Sequence, residues 1–202
     1  MTMVTCDLTI SADGYSAGHN QTEQRPFGDD GSDGSGSHLH AWIFERPDEN
    51  QGEIDRIGHA GAFIMGRNMF GPVRGEWDRA WNGWWGDTPP FQMPVFVLTH
   101  YPRDPLPMDG GTTFTFVTDG IESALRQART AAGSGNVGIQ GGATTVNQYL
   151  AAGLIDELRL HIVPVTFGSG TRLFDGVPAL DLEQVESRAA SGVTHVTYRV
   201  RR

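Results

Sequence analysis

The chain has 202 residues, 38% of them hydrophobic, and a formal net charge of −9 at pH 7. That length buries one sizeable core and is most simply a single domain over residues 1–202, while the acidic balance argues against nucleic acid as a general partner. One cysteine, Cys6, excludes an internal disulfide framework and fits a reducing cytoplasm; the start MTMVTCDLTIS lacks a secretory signal pattern, and no run approaches the ~18 apolar residues of a membrane helix.

Strand and helix signals alternate along the chain. Val4 to Ile10 reads as a strand running into Asp13-Gly14-Tyr15. Residues 16–37 are polar and glycine-rich and read as a long mobile loop, either a lid or an insert without a role. Leu39 to Glu45 predicts one or two helical turns carrying Trp42. Asp48 with Gln51 predicts a capping box for a helix with Ile54 and Ile57 on one face. Ala62 to Gly66 is an apolar strand followed by Arg67, Asn68 and a brief helix. A loop with Trp77, Trp81, Trp84 and Trp85 leads to the strand Pro94 to Thr99, and Thr113 to Val117 is another. Asp119 and Glu122 suggest a second capping box for the helix Ile121 to Ala132. After the strand Asn136 to Ile139 comes a helix with Val146, Tyr149 and Leu150 on one side and Gly153 as its C′ residue. Leu158, Leu160 and Ile162 alternate with polar residues, and Val196 to Val200 predicts a late antiparallel strand.

This order of βα units predicts an α/β fold with a mixed, mostly parallel sheet covered by helices on both faces. Ligands on such sheets bind at the carboxyl ends of the strands. Three candidate sites fall there: Gly66-Arg67, Thr99-His100 and Gly141-Gly142. A glycine pair before a helix lets the backbone approach a phosphate, and the helix start offers free N–H groups. Ala143, Thr144 and Thr145 add two hydroxyls to that turn. A tight turn without a ligand explains the glycines equally well. Arg67 suits a phosphate, with a surface ion pair as its alternative reading.

The segments IMGRNMF, VFVLTHYP and VGIQGGATTVNQYLAAGLIDELRLHIVPVTFGSGTRLF resemble the dihydrofolate-reductase-like superfamily. Within it, the closest resemblance is to the reductase domain of riboflavin biosynthesis and its stand-alone bacterial relatives, and it covers nearly the whole chain. The resemblance implies a three-layer fold and an NADPH-dependent reductase, nearest in activity to 5-amino-6-(5-phosphoribosylamino)uracil reduction. It implies that the segment Gly141 to Gln148 wraps the cofactor pyrophosphate. Gly66, Arg67 and Asn68 would lie beside the adenosine phosphate or pyrophosphate, and Thr99 with His100 would line the 2′-phosphate pocket. No acidic residue sits in these strand-end motifs to prefer a free ribose diol, so NADP is favoured over NAD. A homodimer through the late strands is also implied.

Departures from the family pattern bear on the substrate. Folate-reducing members carry a carboxylate where this chain reads His38-Leu39-His40-Ala41-Trp42, with no acid until Glu45. Riboflavin-pathway members tend to carry a glutamate where this chain has Gln140, which keeps a hydrogen-bonding group without the charge. No deaminase motif accompanies the reductase pattern, so a lone reductase domain is expected. Candidates near the nicotinamide are Asp13 and Tyr15, with Asp13 either relaying a proton or closing a D-G turn. Gln140, Trp42 and Trp84 are the candidate substrate contacts; Trp77, Trp81, Trp84 and Trp85 together could form a stacking wall for a flat heterocycle, with core packing or a dimer contact as the alternative.

Two further activities stay open: a pterin or folate reductase, and an NADPH-binding protein without turnover. Neither metal pattern is complete. The twelfth position of a calcium loop begun at Asp29 would be His40, not Glu, and His38-x-His40 lacks an evident third ligand. The expected partners are a small-molecule substrate and a second copy of the chain, with no metal and no membrane.

Overall fold

A computed structural model of the chain describes residues 2–72 and 74–201. Its strands are β1 (Val4–Ser11), β2 (Tyr15–Ala17), β3 (Ala62–Gly66), β4 (Pro94–Leu98), β5 (Leu106–Pro107), β6 (Thr113–Val117), β7 (Val137–Ile139), β8 (Glu157–Val163), β9 (Thr171–Arg172), β10 (Asp181–Ala190) and β11 (Val193–Arg201). The α-helices are α1 (Ser37–Phe44), α2 (Pro47–Gly58), α3 (Arg67–Phe70), α4 (Ile121–Ala132) and α5 (Ala143–Ala151).

Nine strands form one sheet in the order β10-β11-β8-β1-β7-β3-β4-β6-β5, and β2 pairs with β9 in a separate ribbon. The run from β8 to β6 is parallel, while β11, β10 and β5 are antiparallel additions at the edges. The mixed, mostly parallel sheet is thus as the alternating pattern predicts. Period-2 alternation divides its side chains between two faces. On β3, Ala62 and Ile64 join the cluster packed by Ala124, Leu125, Val146 and Tyr149 of α4 and α5. Phe63 and Met65 join the opposite cluster with Phe70, Phe114 and Phe116. A third cluster packs Leu39 and Trp42 of α1 on Val163 and Val193, with Ile54 and Ile57 of α2 against it. Helices therefore cover both faces, giving three layers.

Several local expectations need correction. Neither capping box forms. Proline suits the first helical position, so α2 begins at Pro47 with Arg46 as N-cap, one residue ahead of Asp48. α4 begins after Gly120, whose φ of 93° leaves Asp119 outside the helix. The α5 terminus is as predicted: Gly153 (φ 64°) and Leu154 donate to the Leu150 and Tyr149 carbonyls, the two bonds of a Schellman motif. β10 escaped the sequence reading because its residues are mostly exposed, leaving no apolar alternation to see. His161 interrupts the expected one-sided pattern of β8. It is buried, because α1 and α2 cover that face.

The stretch 16–37 is closed on itself rather than structureless. The buried carboxylate of Asp30 accepts hydrogen bonds from the Ser32, Gly34 and Gly36 amides and from Ser32 Oγ, at 2.8 to 3.0 Å. Gly36, at φ 74°, then launches α1.

Candidate functional site

The three predicted strand ends are neighbours in space because β7, β3 and β4 are neighbours in the sheet. Gly141 has φ 103°, a backbone conformation that favours glycine, and is joined to Gly142 by a cis peptide bond. Gly66 N donates to the Gly141 carbonyl at 2.9 Å. A Cβ at Gly66 would lie 2.3 Å from Thr145 Oγ1, so any larger residue would force the buried Thr145 hydroxyl out of its place between β3 and α5. Gly142 is the N-cap of α5, and a Cβ there would meet nothing within 4 Å: the space in front of the helix start is open. Ala143 and Thr145 are buried in that turn, and Thr144 is exposed. Ser16 of β2, which the sequence reading missed, accepts a bond from Ala143 N at 3.4 Å.

Arg67 supplies the charge. Its guanidinium lies 3.8 Å over the Trp77 ring and 5.3 Å from that of Tyr101, so an aromatic platform holds it flat. Nη1 donates to Thr99 Oγ1 at 3.3 Å, while Nε and Nη2 are buried without a partner. Arg103 lies over the same Trp77 ring at 4.9 Å, and its Nη1 donates to the Trp81 carbonyl. Burial first, then the charge of Arg74, pulls the Arg67 pKa down, with Arg103 adding and Tyr101 and Asp78 opposing. Such a guanidinium, short of two hydrogen bonds beside other arginines, is a receptor for an anion. Arg74 and Tyr101 went unassigned in the sequence, where the loop around Arg74 has no period to mark it; Trp77, read there with its neighbouring tryptophans as a wall for a flat heterocycle, lies under the Arg67 guanidinium instead. His100 and Asn68 are exposed at the same edge.

The candidate catalytic and substrate residues fare differently. The Asp13 carboxylate accepts bonds from Ser11 Oγ, Phe167 N and Gly168 N. Partial desolvation, the largest influence, raises its pKa, but those hydrogen bonds together hold it below the usual carboxylate range. These bonds fit the turn-closing reading of Asp13 better than the proton relay. Tyr15 sits on β2 with its hydroxyl 3.4 Å from the Gly168 carbonyl and Arg172 5.7 Å from its ring. Trp42 is 1% exposed, and its Nε1 donates to Thr9 Oγ1 at 3.3 Å. It is a core residue, which corrects its expectation as a substrate contact. Gln140 Nε2 donates to the Ile57 carbonyl at 3.1 Å, bracing the glycine turn against α2. Trp84 packs edge-on against Trp81 at 4.8 Å and is half-buried. Among the described residues no three His, Cys, Asp or Glu side chains converge as a metal set, and no helix is long and apolar enough to cross a membrane.

The RibD C-terminal domain family model matches residues 2–196. Over 85 residues the chain is 33% identical to the protein YyaP of Bacillus subtilis (strain 168); this stretch is 41% of the chain and spans 45% of that relative's length. A protein from Shewanella sp. PV-4 assigned to riboflavin biosynthesis superposes with a TM-score of 0.65 at 21% identity, covering 100% of both chains. Dihydrofolate reductase from Enterococcus faecalis, complexed with NADP(H), superposes with a TM-score of 0.56 at 14% identity, covering 99% of this chain and 97% of that one. At these identities the structural likeness is one of fold: three-layer α/β, dihydrofolate-reductase-like. From the match along nearly its whole length, the chain belongs to the RibD C-terminal domain family.

Proposed function

We propose that this protein is an NADPH-dependent reductase acting on a C=O or C=N of a small heterocyclic or sugar-linked substrate. The nearest activity is 5-amino-6-(5-phosphoribosylamino)uracil reduction. The observation that carries the reading is Arg67: a guanidinium fixed on Trp77 with Nε and Nη2 unpartnered, at the strand end next to an open helix start. A phosphate would satisfy those donors, and Arg103 and Arg74 would add to the attraction. Gly142, Thr144 and Thr145 would take a second phosphate at the α5 N-terminus. When bound, NADPH supplies the hydride; the chain's own part is to hold the dinucleotide along β3, β4 and β7 and to position the acceptor.

The candidate acid–base groups support restraint about further chemistry. Asp13 and Gln140 are both committed to structural bonds, so rate enhancement would come from proximity, with the proton drawn from solvent. The same observation favours a second reading, NADPH binding without turnover. Pterin reduction is disfavoured by the absence of an acid on α1, whose residues run from Ser37 to Phe44. A homodimer through the exposed edge strand β10 and a cytoplasmic setting complete the proposal. Sedimentation tests the dimer, and a monomer at micromolar concentration would contradict it. The function is tested by following NADPH absorbance with a panel of ribosylaminopyrimidines, pterins and simple carbonyls. Substrate-dependent oxidation is expected. Saturable binding with no oxidation across the panel would transfer the assignment to the binding-only reading.

A further inference from the structure

Beneath α2, on the sheet face opposite α4 and α5, two buried imidazoles meet: His161 Nδ1 and His195 Nδ1 are 2.8 Å apart. Neighbouring groups fix their protons. Asn50 Nδ2 donates to the Trp42 and Arg46 carbonyls, so Asn50 Oδ1 is the acceptor facing His195 Nε2 at 3.0 Å, and it also receives Arg188. His195 therefore carries its proton on Nε2 and accepts at Nδ1, which makes His161 Nδ1 the donor. The remaining lone pair, on His161 Nε2, is buried without a hydrogen-bond partner and looks towards Asp7 Oδ1 at 3.7 Å. Two acceptors thus face each other across a gap that one proton would fill.

The surroundings limit what can enter. The adjoining cavity is about 10 Å³, enough for one water and no larger ligand. Its charged walls are already paired: Arg159 with Asp7 and Glu157, Arg188 with Glu53, and Arg56 with Glu186 and Glu53. The groups facing the pair are Asp7 and Thr9 from β1, Arg159 from β8 and Thr197 from β11. Trp42 and His40 come from α1, Asn50, Glu53 and Arg56 from α2, and Glu186 and Arg188 from β10. The ring of Trp42 lies 4.5 Å from that of His161 and 5.0 Å from that of His195. The pair therefore joins α1 and α2 to the late strands.

We propose that His161 and His195 form a one-proton site that clamps α1 and α2 to the sheet and releases them on acidification. A proton on His161 Nε2 would face Asp7 Oδ1 and complete the chain Asp7–His161–His195–Asn50. A second, on His195 Nδ1, would set two N–H groups against each other at 2.8 Å and break the pair. Burial, then the charge of His161, already presses the His195 pKa down to about 4. An unfolded chain binds a proton on each imidazole, so below pH about 6.5 it outbids the folded state for the second one.

Two measurements on the intact chain test this. Long-range nitrogen–proton NMR of the imidazoles from pH 8 to 4.5 should show His195 as the neutral Nε2–H tautomer throughout and the first uptake at His161 Nε2. Independent titration of both rings, or both remaining neutral while Asp7 protonates, would overturn the proposal. Urea unfolding from pH 7 to 4.5 should show the folding constant of the native chain falling more steeply than that of His195→Gln, by about tenfold per pH unit. A variant less stable by the same factor at every pH would reduce the pair to ordinary packing and contradict the clamp.

Discussion

Arg67 and His161 each present buried nitrogen without a partner, and the two regions teach opposite lessons. Around Arg67 the donors are permanently charged, other arginines crowd in, and the helix start alongside opens to solvent. An anion is the acceptor best matched to such a place. Around His161 every neighbouring charge is already paired and the cavity admits a water at most. That place waits for a proton. The same deficiency signals a ligand site where the surroundings are cationic and a titration site where they are neutralised.

The largest expected effect is at the strand junction that builds the first region. Gly66→Ala would set a methyl 2.3 Å from Thr145 Oγ1. It should cost about 1–3 kcal/mol of stability and abolish saturable NADPH binding, as read by urea unfolding and fluorescence titration. Binding at native affinity would show that β3 and α5 need not approach this closely. In the second region, the His195 pKa near 4 lies below its ordinary 6.5. The unfolded chain therefore binds more protons between those values, so stability is complete above pH 6.5 and falls as pH drops towards 4, by on the order of 2–3 kcal/mol. Salt should leave that loss nearly unchanged, since the groups are buried.

Much of this contrast was legible in the sequence, though unevenly. The strands ending at Gly66, Thr99 and Gly141 announce themselves by apolar runs followed by glycine or polar residues, and the parallel order makes them adjacent. The platform under Arg67 is illegible because Trp77 and Tyr101 lie in aperiodic loops, where spacing says nothing about contact. Trp42 and Asp13 show the converse: each has a residue type that suits chemistry, yet burial and local hydrogen bonds assign them to structure. The histidine pair depends on β8 and β11 lying side by side, a pairing 34 residues apart in sequence. No local pattern encodes it.

Smaller effects sharpen the division between holding a ligand and bracing the fold. Trp77→Leu removes the ring beneath Arg67 while sparing the charge, and should weaken NADPH about 5- to 10-fold through loss of ~1 kcal/mol of cation–π contact and positioning. Gln140→Glu would set a carboxylate against the Ile57 carbonyl. It should lower stability by about 1–2 kcal/mol, with substrate preference unchanged in a competition assay. Asp13→Asn keeps the turn and loses charge-assisted bonds, costing about 1 kcal/mol and leaving any turnover within a few-fold. A large fall in kcat at unchanged stability would return Asp13 to the chemistry.

The central claim is that Arg67 is the anchor of a phosphorylated dinucleotide. Titrating the native chain and Arg67→Ala with NADPH and NADH, by quenching of tryptophan emission, tests it most directly. The expected result is NADPH-selective binding in the native chain and a loss of about 30- to 100-fold in the variant, as for a charged hydrogen-bonding group removed from its anion. Equal affinity for both dinucleotides, or an Arg67→Ala variant that binds NADPH undiminished, would contradict it.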